Sequence, residues 1–108
     1  MFFKSRKKSE TNKPTIMTAY DRIVYWDVTD SSDETLFAIS DKILEGYPVL
    51  ANFATLDVKV SNSMLAFLSG VIYATGGQTL KIQQYLFLLG RKEEFEDGSL
   101  YQYYEDLK

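Results

Sequence analysis

Residues 67–77 read FLSGVIYATGG, eleven residues without a charge and with Gly70 in the middle of a stretch whose spacing is helical. In a helix starting near Asn62, the side chains of Met64, Leu65, Phe67, Leu68, Val71, Ile72 and Tyr73 spread around most of the circumference. One sheet face covers an apolar arc of only roughly 100°, so such a helix needs a second cover. Ala66, Gly70 and Ala74 recur every four residues and make a strip without bulk along one side. Glycine costs roughly 1 kcal/mol of helix propensity relative to alanine, so close approach of another backbone explains Gly70 better than local stability does. Two covers compete for the strip: the first helix or sheet of the same chain, or a second copy across a two-fold axis. With both helices already on one side of a sheet, the outer face of the second helix has few intramolecular partners, which favours the second copy.

Working outward, residues 23–26 (IVYW) are β-branched and aromatic and predict a strand. Residues 29–34 (TDSSDE) predict a turn and helix cap through Ser31, Ser32 or Asp33. Leu36, Phe37, Ile39, Ile43 and Leu44 then form a helical stripe that stops at Gly46. Residues 47–54 (YPVLANFA) are short and uncharged, as a strand covered on both faces would be. Ser61 is expected to cap the second helix, over about 62–75, and Gly76 and Gly77 to end it. Residues 78–90 (QTLKIQQYLFLLG) predict two strands with a turn at Gln83 and Gln84, or one bent strand. The fold class expected is α/β (an α+β sandwich): two helices packed on one mixed four- to five-stranded sheet, in the order β-α-β-α-β-β. The organisation expected is a basic arm over 1–14, the α/β domain over 15–90, and an acidic, Tyr-rich extension over 91–108 for which a docked element and a loose tail are equally compatible with the sequence.

Composition excludes much chemistry. The 108 residues contain no Cys and no His, which removes disulfides, thiolate nucleophiles, imidazole bases and nearly every transition-metal site. Ser61, Ser63 and Ser69 therefore have no imidazole to activate them. Asp27, Asp30, Asp33 and Glu34 lack calcium-loop spacing and read as a solvated turn with cap residues. Neither an enzyme nor a cofactor is expected. Residues 1–14 carry five basic side chains and one acid, net +4, which leaves seven basic and fourteen acidic side chains, net −7, on the rest. An acidic body argues against nucleic acid as a partner. The arm has two readings. It is either a disordered start or a weak anchor in which Phe2 and Phe3, with Met1, enter a headgroup boundary while Lys4, Arg6, Lys7 and Lys8 meet anionic lipid.

The residues that carry the helix also carry a family resemblance. Phe67, Leu68, Ser69 and Gly70, then Tyr73 and Ala74, Gly76 and Gly77, Lys81 and Ile82, and Phe87 and Leu88 follow one another without gaps. This pattern resembles the SepF family of bacterial cell-division proteins, which link the tubulin-like FtsZ polymer to the membrane. The order of elements upstream agrees, so the resemblance covers about residues 20–90. It implies a compact α/β domain that forms a homodimer through its helices, can assemble further into polymers, binds the C-terminal peptide of FtsZ, and works in the cytoplasm at the division site, peripheral to the inner face of the membrane. A dimer would then meet at Ala66, Phe67, Gly70, Tyr73 and Ala74. The peptide implied is short and mostly apolar, so its site should be a groove with an aromatic floor and a few polar groups. Lys81, Tyr85 and Phe87 are the expected contacts, since alternation puts them on one face, opposite Leu80, Ile82, Leu86 and Leu88. Whether Phe87 is an exposed anchor or core is left open by the alternation.

Overall fold

The strand expected at residues 23–26 forms as β1 (Val24–Asp27) and runs parallel to β2 (Val49–Asn52), with Val24 opposite Val49 and Asp27 opposite Asn52. The computed structural model from which this is read describes residues 17–107. Between the two strands lies α1 (Asp33–Leu44), capped by Ser32, whose Oγ accepts from the Thr35 amide at 3.1 Å. Asp30 braces this cap by accepting from the Ser32 amide and from the Ser32 and Thr35 hydroxyls, and those bonds hold its carboxyl below the ordinary value. The acidic turn is thus a capping device. Helix α1 ends where Gly46 takes φ +101°, the left-handed conformation expected of it.

The second helix, α2 (Val58–Ala74), begins earlier than the sequence suggested. Its cap is Asp57, whose carboxylate accepts from the Lys59 amide at 3.1 Å, and Ser61 is a buried residue inside the helix. Asp and Ser are nearly equal as caps, and the apolar Val58 and Val60 between them obscured which one starts the helix. The other end falls where expected. Gly76 has φ +69°, and a Cβ on Gly77 would collide with the carbonyl oxygen of Gly90, so only glycine lets these two backbones cross.

Strands β3 (Gln78–Gln83) and β4 (Leu86–Gly90) form an antiparallel hairpin. Its turn sits at Gln84 and Tyr85, one residue later than expected, and a bulge between Lys81 and Gln83 takes up the extra residue. The sheet order is β1-β2-β4-β3, so β4 enters between β2 and β3 and is antiparallel to both. The architecture is an α+β fold on a four-stranded mixed sheet.

Alternation along the two central strands splits the core. Val49 and Ala51 of β2 and Leu89 of β4 pack with Ile39 and Ile43 of α1 and Met64, Leu68 and Ile72 of α2. Leu50 and Leu88 point to the opposite face, joined by Leu80, Ile82 and Leu86. That second face is what the two-helix expectation left uncovered. It is closed by the C-terminal segment: a 3₁₀ turn over Lys92–Phe95 and a third helix, α3 (Ser99–Leu107), which bring Phe95 and the fully buried Leu100 against it. Gln78 of β3 donates to the Tyr101 hydroxyl. The start of the described chain is clasped to the same segment, because Asp97 accepts from the Ala19 amide at 2.9 Å while the Tyr20 ring lies 5.3 Å from that of Tyr103. Hydrogen bonds from Ser99 and then from Ala19 hold the Asp97 carboxyl below its ordinary value. Glu94, almost fully buried, is paired with Arg91 at 2.7 Å and Arg22 at 3.4 Å, and Arg22 also donates to the carbonyl of Gly46 at 3.1 Å. One carboxylate thereby joins the segment after β4 to the segments flanking β1 and α1.

Candidate peptide-binding cleft

Helix α2 meets the β3–β4 turn across a cleft of about 130 Å³. The floor is aromatic: Phe87 of β4 and Phe53, just after β2, stand edge to face with ring centres 6.1 Å apart and planes at 75°. Tyr85 contributes from the turn, and its carbonyl accepts from the Phe53 amide at 2.8 Å, which ties the turn to the end of β2. Val58 and Leu65 supply aliphatic walls from successive turns of α2, and Ser61, Asn62 and Gln84 supply the polar groups. None of these lining side chains carries a charge. The arrangement suits an apolar segment with a few hydrogen-bonding groups. Larger hollows exist, one of about 260 Å³ between the Tyr20 segment and α3 and one of about 250 Å³ on the other side of the hairpin turn, but both are more open and lack this aromatic floor.

The three residues expected at the site are brought together differently. Phe87 is half-buried: it packs against the core under the helices and lines the cleft with the remainder of its ring, so it combines the two roles left open by alternation. Lys81 lies directly opposite Phe87 in the ladder, on the same face and exposed, outside the cleft lining. Tyr85 is an exposed turn residue at the rim. Phe53, Val58, Ser61 and Leu65 were missed. For the three on α2 the signal was present as the spacing 58, 61 and 65, which becomes visible once the helix is started at Asp57; Phe53 joins them only through the fold.

The outer surface of the helices is the second apolar feature. Ala66, Gly70, Tyr73 and Ala74 are exposed, Tyr73 at 87%. A Cβ at Gly70 would meet nothing within 4 Å, so the reading in which this strip packs within its own chain is corrected: α1 lies beside α2 on another side. Phe67 of α2 and Phe37 of α1 remain largely exposed and touch each other, with ring centres 6.1 Å apart. No helix among the described residues is long and apolar enough to cross a membrane. The arm residues Phe2, Phe3, Lys4, Arg6, Lys7 and Lys8 lie outside the described residues.

With the sheet order, the glycine corner and the hairpin in place, comparison with known proteins is informative. The family model described as cell division protein SepF matches residues 23–90, most of the chain and all four strands. The chain belongs to the SepF family. Among its relatives, the cell division protein SepF of Limosilactobacillus reuteri (strain DSM 20016) is 29% identical over 89 residues, which are 82% of this chain and 59% of the relative. That of Natranaerobius thermophilus is 29% identical over 73 residues, 68% of this chain and 44% of the relative. The chain thus spans about half the length of the curated SepF relatives it matches. The SepF match stops at Gly90, so the segment carrying α3 lies beyond it.

Because Phe87 is half-buried, Phe87→Ala should lose only about 1–3 kcal/mol of stability, whereas Leu89→Ala, at a fully buried position on the same strand, should lose about 2–5 kcal/mol. Chemical denaturation of the two variants side by side checks the order; equal losses would make Phe87 an ordinary core residue.

Proposed function

We propose that this chain acts in cell division by binding the C-terminal peptide of FtsZ in the cleft between α2 and the β3–β4 hairpin, and that it does so as a homodimer joined through the outer face of α2. The observation that carries the peptide reading is the uncharged, aromatic-floored cleft beside Phe87. Short apolar peptides bind by inserting one or two large side chains into such a pocket, with a few polar groups fixing their register. Lys81 and Tyr85 then serve at the rim, where Lys81 attracts an acidic flank of the peptide and adds more to encounter than to residence. The dimer reading is supported by the exposed strip of small residues beside Phe67 and Tyr73. A strip without side-chain bulk lets two helices approach closely, and a two-fold axis uses the same patch twice. Dimerisation or further polymerisation multiplies weak contacts with FtsZ, which is itself a polymer. In this reading the protein is non-enzymatic and aligns or tethers FtsZ polymers at the septum.

The same reading extends to the inner face of the membrane through residues 1–8. One basic, Phe-bearing arm binds anionic lipid only reversibly, and two or more arms bind it by avidity. The alternative is a homodimeric interaction domain without membrane contact. Co-sedimentation with anionic vesicles separates the two: the intact chain should pellet with them and a chain lacking residues 1–13 should stay in solution.

Leu65→Trp fills the cleft from the helix side at a partly exposed position. Fluorescence titration with the labelled FtsZ C-terminal peptide should show binding reduced by at least about tenfold, equivalent to ~1.4 kcal/mol, with the fold intact by circular dichroism. Undiminished affinity would remove the cleft from consideration. Gly70→Lys tests the other surface, since burial of an unpaired ammonium in a close helix contact costs several kcal/mol. The variant should sediment as a monomer of unchanged fold; a dimer of unchanged affinity would place the interface elsewhere, for example on the sheet.

A further inference from the structure

The hollow of about 260 Å³ between the Tyr20 segment and α3 is used neither by the peptide cleft nor by the outer face of α2. Its lining is aromatic and polar. Tyr20 and Tyr103 set their rings 5.3 Å apart at a tilt of 54°, and Thr18, Ser99 and Gln102 add hydrogen-bonding groups. Asp106 is the ionic side chain among the described residues that line it, and Gln102 Nε2 steadies its carboxylate at 2.9 Å. Tyr20 stays half exposed although it is paired with Tyr103. Ring faces beside a carboxylate suit a cation, which the rings attract and the carboxylate neutralises.

The described chain begins at this same place. The Ala19 amide donates to Asp97 and the Tyr20 amide to Ser99 Oγ at 3.0 Å, so these residues are pinned against the start of α3, and sixteen residues precede Met17. Those sixteen carry five basic side chains and one acid, whereas residues 91–107 carry two basic and six acidic ones. Segments tethered this closely meet at an effective concentration on the order of millimolar. The cluster from Lys4 to Lys8 lies nine to thirteen residues before Met17, a reach of about 30–45 Å when extended, and the whole of α3 is only about 14 Å long. The cluster can therefore turn back onto any part of that helix. Acidity alone does not choose α3, because α1 also begins with two acids. The tether and the tyrosine rings choose it.

We propose that residues 1–16 dock back onto their own domain at this hollow, with a basic side chain of the Lys4–Lys8 cluster over the Tyr20 and Tyr103 rings beside Asp106. Helix α3 thereby holds the arm away from lipid until a dense anionic surface displaces it, a consequence that rests on the reading of residues 1–8 as a lipid-binding arm. The exchange is between two anionic hosts. The hollow offers the cluster one carboxylate and two rings at high effective concentration, while a membrane offers every basic side chain a headgroup at once. A single chain in solution keeps its arm docked, and a membrane surface releases it.

The intact chain has no cysteine, so Ser5→Cys gives one site for a nitroxide label in the isotope-labelled protein. Amide resonances of residues 99–106 should broaden while those of α1 stay sharp; sharp resonances throughout α3 overturn the docking. Gln102→Trp fills the hollow and Asp106→Asn removes its charge, both at exposed positions. Each should sharpen the α3 resonances, as should salt at about 1 M, where the screening length falls to about 3 Å. Broadening that survives all three changes places the arm elsewhere and overturns the site. Nitroxide-labelled chain without the isotope, mixed with isotope-labelled chain without the nitroxide, should show no broadening; broadening there makes the contact one between copies and overturns docking within the chain.

Co-sedimentation with phosphatidylglycerol vesicles tests the consequence. An arm docked about two thirds of the time lowers apparent lipid affinity about threefold, so Gln102→Trp and Asp106→Asn should each bind about threefold more tightly than wild type. Asp41→Asn removes the same charge from the exposed side of α1, across the sheet from α3, and should bind as wild type does. An equal gain in Asp41→Asn reduces the effect to net charge and overturns the brake on lipid binding, as does unchanged affinity in both hollow variants. If no form binds vesicles, the lipid reading falls and the brake with it, while broadening in α3 still establishes the docked arm.

Discussion

The two central strands, β2 and β4, are apolar on both faces, and nearly everything else in the fold answers that constraint. Val49, Ala51 and Leu89 need one cover and Leu50 and Leu88 need another, because successive side chains on a strand point to opposite sides. The first cover is the pair α1 and α2. The second is the C-terminal segment with α3, held in place by the buried Glu94 between two arginines and by the clasp of Asp97 on Ala19. The glycine corner belongs to the same constraint, since β4 reaches the middle of the sheet only if its last residue can pass the backbone of Gly77.

Helix α2 serves three surroundings at once. Met64, Leu68 and Ile72 enter the core, Val58, Ser61 and Leu65 wall the cleft, and Ala66, Gly70 and Tyr73 face outward. A helix asked to meet three surfaces is apolar around most of its circumference, which is why residues 67–77 carry no charge. A Cβ at Gly70 would stand in open space among the described residues, so no packing there accounts for its cost in helix propensity; the proposed dimer would.

Much of this was legible in the sequence, and the parts that were not share a cause. The strands, α1, the glycine stops and the mixed sheet follow from local patterns: β-branched and aromatic density in β1, a short uncharged run in β2, period 3.6 in α1, and backbone conformations that only glycine adopts readily at Gly46 and Gly76. The third helix was obscured by composition, because Leu100 and Tyr103 are its few inward anchors in an acidic, tyrosine-rich stretch that resembles a solvated tail. The candidate site was half legible. Phe87 and Tyr85 came from the hairpin and the family resemblance, while Phe53 and Ser61 are distant in sequence from them and join the cleft only through the β2–β4 pairing and the true start of α2. Reading Ser61 as a cap hid it, since a cap residue is solvated and Ser61 is buried.

The bulge in β3 has a consequence for how copies of this chain can join. An edge strand exposes unpaired amides and carbonyls that invite another strand, and a bulge beside a lysine is one of the ways proteins blunt that invitation. The opposite edge, β1, is only four residues long. Lateral growth of the sheet is thus disfavoured at both ends, which leaves faces as the surfaces through which the proposed dimer would associate. Contacts between faces consist of side chains and dissociate one interface at a time, whereas stacked backbone ladders yield the kinetic permanence of amyloid. A sheet blunted at its edges therefore suits the proposed assembly to being dismantled.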